Sequence, residues 1–143
     1  MSAKDLTKEA PRSPRERLGG YAILARAIDK CAADIAGTVG DYHTNCPLDR
    51  YLFDWKGTDY AAFRALVQGG VSDGEIVQFI NETGTPKSAE EIAAWSDQLE
   101  AANPYEAPDK RDWFVGVCEP LGLDPKTTTL FTFLETDDEK TFS

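Results

Sequence analysis

The chain of 143 residues has a single histidine and only three cysteines, so the side chains that most often ligate transition metals are scarce. Cys31, Cys46 and Cys118 are odd in number and widely spaced, with no C-x-x-C pair among them. That is a poor disulfide framework, it excludes a thioredoxin-type motif, and it fits a reducing compartment better. No apolar run approaches the roughly 20 residues that span a bilayer. The opening stretch MSAKDLTKEAPRSPRERLGG lacks the apolar segment of a secretory signal. The expectation is a cytoplasmic protein with no membrane partner.

A basic excess is missing as well. The net charge is −10, and it is unevenly spread. Residues 1–30 carry seven basic against four acidic side chains, whereas the rest carries eight against 21. An acidic body repels phosphate backbones, so nucleic acid is not an expected partner. No P-loop, dinucleotide fingerprint, serine-hydrolase elbow or H-E-x-x-H motif is present.

The chain is nonetheless 41% hydrophobic, with three tryptophans, five tyrosines and seven phenylalanines. Those are the ingredients of one domain burying roughly two thirds of its unfolded surface. Helical signals recur along it. Ser13-Pro14-x-Glu16 reads as a capping box, followed by Leu18, Tyr21, Ala25, Ile28, Ala32 and Ile35 at alternating spacings of three and four. Ser72-x-x-Glu75 and Ser88-x-x-Glu91 repeat the start signal. Thr58, Pro108 and Asp124 open three further helices, and PLDRYLFDW adds a short one behind Pro47. No segment alternates strictly between apolar and polar residues as a strand does. The expected fold is all-α, a single domain of six or seven short helices over 13–134. A flexible arm over 1–12 precedes it, and an acidic, frayed tail over 135–143 follows. The tryptophans, each in an apolar helical pattern, read first as core.

The stretch GDYHTNCPLD, residues 40–49, carries what little chemistry the sequence offers. Pro47 at the first helical position makes Cys46 the N-cap, where backbone N–H groups and the helix dipole favour a thiolate. His43 lies three residues upstream, and Asp41 or Asp49 would orient its ring. Cys46, His43 and Asp49 are therefore the candidate catalytic set. Cys31, His43 and Cys46 are the candidate metal ligands, for zinc or iron, although C-x11-H-x2-C is not a familiar zinc spacing. The same cysteines and histidine also read as small packing groups. A second cluster combines Arg15, Arg26 and Lys30 with Tyr21 and Tyr42 as a candidate site for a small anion. Those cations read equally well as partners of the abundant carboxylates.

Several longer stretches are familiar together: DLTKEAPRSPRERLGGYAILARAIDKC, AGTVGDYHTNCPLD, SDGEI, GTPKSAEEIAAWSD, NPY and LGLDPKTTTLF. They resemble the bacterial domain-of-unknown-function family 5069 from about Asp5 to Leu134, with the segment around Cys118 unmatched. The resemblance implies a small single-domain bacterial protein and supplies no activity. Two functional readings stand side by side. One is a binding module that takes a small anion or a protein partner on the first helix and the 40–49 loop. The other is a metal- or thiol-dependent enzyme acting through Cys46 and His43. Oligomeric state leaves no mark on the sequence.

Overall fold

The computed structural model describes residues 3–143, and its first helix does not start at Ser13. Ser13 Oγ accepts the Arg15 N–H at 3.1 Å and donates to Glu135 at 2.7 Å, so the expected capping box is a tight turn. The chain then reverses at Gly19 and Gly20, both at positive φ (61° and 87°), while Leu18 and Tyr21 exchange backbone hydrogen bonds. A two-residue reversal of this hand needs positive φ at both positions, which glycine supplies without strain. Ser96 holds the turn from outside. Its hydroxyl donates to Gly20 O at 2.7 Å and accepts the Ala22 N–H at 2.9 Å.

Helix α1 (Leu24–Ala36) follows, and then α2 (Pro47–Lys56), α3 (Tyr60–Gln68), α4 (Asp73–Glu82), α5 (Ala89–Ala101), α6 (Arg111–Cys118) and α7 (Leu130–Thr141). Short 3₁₀ turns at Pro104–Glu106 and Glu119–Leu121 flank α6. The fold is all-α, with seven helices and no strand among the described residues. None of the helices is long and apolar enough to cross a membrane.

Local chemistry explains most of the boundaries. Ser88 and Glu91 form a reciprocal capping box, and Ser72 Oγ accepts the Glu75 N–H. The other starts differ from expectation. Thr58 bonds Thr83 Oγ1 at 3.0 Å instead of capping α3, and α6 begins three residues after Pro108. Asp124 closes a turn onto the Lys126 N–H, and Thr129 caps α7 in its place.

Helix α1 is the axis of the molecule. It is buried on all sides from Leu24 to Cys31, and Leu24 and Ile28 pack with Leu52, Phe63, Ile76, Ile80 and Phe131. A smaller cluster of Phe114, Cys118 and Phe133 joins α6 to α7. Burial of α1 takes its charged residues along, and buried charges must be paired. Arg26 therefore meets Asp138, Asp29 meets Arg12, and Lys30 meets Asp49.

These pairings overturn two expectations about the chain ends. The segment expected to be a flexible arm is docked: Leu6 is 2% exposed, and its N–H donates to Thr38 O at 2.9 Å. Residues 1 and 2 of that arm lie outside the described residues. The expected frayed tail is the second half of α7, held by buried Asp138.

Candidate functional site

Residues 40–49 fold as a turn that delivers Cys46 to the N-cap of α2, with Pro47 at the first helical position as expected. The sulfur caps no backbone N–H. It accepts instead from Lys30 Nζ at 3.4 Å, across from α1. The same ammonium sits 3.0 Å from Asp49 Oδ1, one turn into α2, and both side chains are almost fully buried. Asp49 Oδ2 has no hydrogen-bond partner.

His43 does not join this group. Its side chain is exposed, and no hydrogen bond or ion pair reaches it among the described residues. Asp49 is committed to Lys30, so the Cys46–His43–Asp49 set expected for catalysis is not assembled. The metal set fails for a related reason: among the described residues, no three His, Cys, Asp or Glu side chains converge as a metal site needs. Cys31 is fully buried on α1, and desolvation pushes its thiol pKa up. The Tyr60 hydroxyl, close to Cys31 and Thr44, is also buried without a well-formed hydrogen bond, and desolvation raises its pKa.

The proposed anion-binding residues separate into internal pairs. Arg15 binds Glu135 at 3.1 Å and Thr132 at 3.2 Å. Tyr21 is fully buried, with its hydroxyl donating to Asn81 Oδ1 at 2.6 Å. Arg26 grips both Asp138 oxygens, at 2.8 and 3.1 Å, and its guanidinium lies 5.5 Å over the Tyr42 ring. Tyr42 donates to the same carboxylate at 2.8 Å. Burial, and then that hydrogen bond, push its pKa up. Arg26 and Lys30 share a face of α1 but reach different helices, α7 and α2. The cations hold the fold together, as the second reading of that cluster anticipated.

An open site lies elsewhere, between α2 and α5. Pro47, Arg50, Tyr51, Asp54 and Trp55 on α2, with Trp95 and Gln98 on α5, line a groove of about 650 Å³. Trp55 and Trp95 stack at 4.9 Å between centroids and 14° between planes. Lys87 Nζ stands 4.7 Å above Trp55, and Lys110 Nζ stands 5.4 Å above Tyr51, which is 52% exposed. One signal in the sequence could have shown this. Leu52 and Phe53 bury the inner face of α2, so Tyr51, one turn from half-buried Trp55, is a surplus aromatic at the exposed edge. Trp55 and Trp95 are half-buried and pack against the main core as expected while also lining the groove, whereas Trp113 is 51% exposed and is not core.

The domain model for DUF5069, a domain of unknown function, matches residues 8–140. The chain belongs to the DUF5069 family. No curated protein matches it. DUF5069 membership thus brings no reaction with it, and function has to be argued from the two places described above. Of these, the Lys30 cluster is sealed on most sides, whereas the α2–α5 groove is open and sized for a small ligand.

Proposed function

We propose that this chain is a small-ligand binding module whose site is the α2–α5 groove. The ligand it suits has a flat apolar body and an anionic group. The observation that carries this reading is the stacked Trp55–Trp95 pair with Lys87 over it. With Trp95 stacked on one face of Trp55 and Lys87 over its ring, the outer face of Trp95 is the planar apolar surface left to a ligand, and an added ring there gains about 0.5–1.5 kcal/mol beyond its buried area. Charge selects the other half of the ligand. Arg50 and Asp54 line the groove with opposite charges, and Lys87 over Trp55 and Lys110 over Tyr51 add two cations beside it, in a chain of net charge −10. A local cationic rim on an acidic body attracts a small anion while the body repels a long polyanion.

The expected affinity is modest. A ligand of about 15 heavy atoms at about 0.3 kcal/mol per atom gains about 4.5 kcal/mol, a Kd near 0.5 mM. Naphthalene-2-carboxylate serves as the probe, with tryptophan fluorescence as the signal. A saturable change with Kd on the order of 1 mM supports the reading, provided that naphthalene-2-methanol binds more weakly and Trp95→Ala abolishes the effect. No saturable change, or equal affinity for the neutral and anionic probes, contradicts it.

A further inference from the structure

We infer that Cys46 is a site of reversible oxidation by peroxide, its sulfenic acid held between Lys30 and Asp49. This site adjoins the groove at Pro47 but does not depend on the ligand proposed for it. Three observations meet there. Cys46 is the one partly exposed thiol among the three, since Cys31 and Cys118 are fully buried. Its sulfur already accepts a hydrogen bond from Lys30 Nζ at 3.4 Å, and that ammonium is fixed by Asp49 Oδ1 at 3.0 Å. Asp49, 2% exposed, keeps its second oxygen without a partner, and it shares with the sulfur the ammonium that both contact.

An unpartnered buried carboxylate oxygen lacks a donor, and a buried acceptor left unmade is costly. A thiol is a poor donor, and Cys46 makes no hydrogen bond to Asp49 in the reduced protein. A sulfenic acid changes the inventory by one oxygen and one strong O–H donor. The Cys46–OH hydroxyl then donates to Asp49 Oδ2, while the sulfur or the new oxygen continues to accept from Lys30.

The step balances with hydrogen peroxide as the oxidant. Sulfur attacks one peroxide oxygen, so the S–O bond forms as the O–O bond breaks. The departing hydroxide takes the thiol proton and leaves as water. Sulfur loses two electrons and peroxide gains them. A low-molecular-weight thiol reverses the change. It displaces water from the sulfenic acid to give a mixed disulfide, and a second thiol releases Cys46 by exchange.

Dimedone, which captures sulfenic acids, provides the test on the full-length folded protein. After a brief pulse of hydrogen peroxide and its removal, peptide mapping by mass spectrometry should place the adduct on Cys46 and leave Cys31 and Cys118 unlabelled. Adduct yield should persist when dimedone is added late. In Lys30→Met/Asp49→Leu, which replaces the ion pair by apolar groups of similar size, the late yield should decay about tenfold faster, the effect of losing one charge-assisted hydrogen bond. Should circular dichroism show that double variant unfolded, Asp49→Asn provides the same comparison, because it keeps the shape and removes the anionic acceptor. The inference is overturned if folded wild-type protein gives no adduct at Cys46, or if the folded variant retains its sulfenic acid as long as wild type.

Discussion

Replacing Asp138 by alanine removes a carboxylate that three donors share: both Arg26 nitrogens, at 2.8 and 3.1 Å, and the Tyr42 hydroxyl at 2.8 Å. The Arg26 and Asp138 side chains are only 5% and 10% exposed, so water cannot take the carboxylate's place. Breaking a buried pair from one side costs about 3–5 kcal/mol. Stranding the Tyr42 hydroxyl costs about 1–3 kcal/mol more. The two losses belong to one network and do not add in full, and alanine returns a few tenths of a kcal/mol of helix propensity. The net expectation for Asp138→Ala is a loss of about 4 kcal/mol, a large part of the 5–15 kcal/mol typical of a domain. In a thermal melt that corresponds to a fall in Tm of about 10–20 °C. Urea unfolding followed by circular dichroism measures the free energy directly, with the denaturant slope as a check that the unfolded state is unchanged. The double variant Arg26→Met/Asp138→Leu should recover most of the loss, since no buried charge is then left alone. A loss below about 1 kcal/mol, the range of an exposed ion pair, would instead mean that the last turns of α7 are loose in solution.

Other perturbations read different parts of the structure. Tyr60→Phe deletes a buried hydroxyl that makes no good hydrogen bond, so urea unfolding should show no loss and a gain of up to about 1 kcal/mol. Tyr42 has its pKa raised above the ordinary 10.0, mainly by burial, so the unfolded chain releases this proton first. Its contribution is whole below about pH 10 and is lost as pH climbs above that value. Tyr42→Phe should therefore flatten the alkaline fall in stability. Gly84→Ala forces a Cβ at φ 67° into the Lys56 carbonyl and Gly57, for an expected loss of about 2–4 kcal/mol in urea. Gly116→Ala, in the interior of α6 with nothing within 4 Å, should instead gain about 0.5–1 kcal/mol.

What could be read from the sequence was local. Ser88 and Glu91 lie three residues apart, and their reciprocal bonds need nothing beyond that turn, so the α5 start was legible. Cys46 before Pro47 was legible for the same reason. Ser13-x-x-Glu16 shows the same letters failing: Gly19 and Gly20 reverse the chain six residues on, and Glu135 of α7 takes the serine hydroxyl. Long-range pairing set the rest. Asp138 is buried because Arg26 waits 112 residues away, a contact that the acidic run LETDDEK does not betray. His43 was drawn toward Cys46 by sequence proximity, yet Lys30, 16 residues back on α1, reaches the sulfur. The groove was hidden because an apolar period locates the faces of a helix without saying which neighbour covers each one. Tyr51 and Trp55 lie beside the buried Leu52 and Phe53 on α2, and Trp95 of α5 completes the aromatic pair.

The claim at the centre of this account is that the paired indoles of α2 and α5 are the surface this protein offers to a ligand. A two-dimensional ¹H–¹⁵N NMR titration with naphthalene-2-carboxylate tests it most directly. The Trp55 and Trp95 indole N–H signals should shift saturably, with that of Trp113 unmoved. Shifts confined to the amides around Arg15, Arg26 and Lys30, or no saturable shift anywhere, would contradict it.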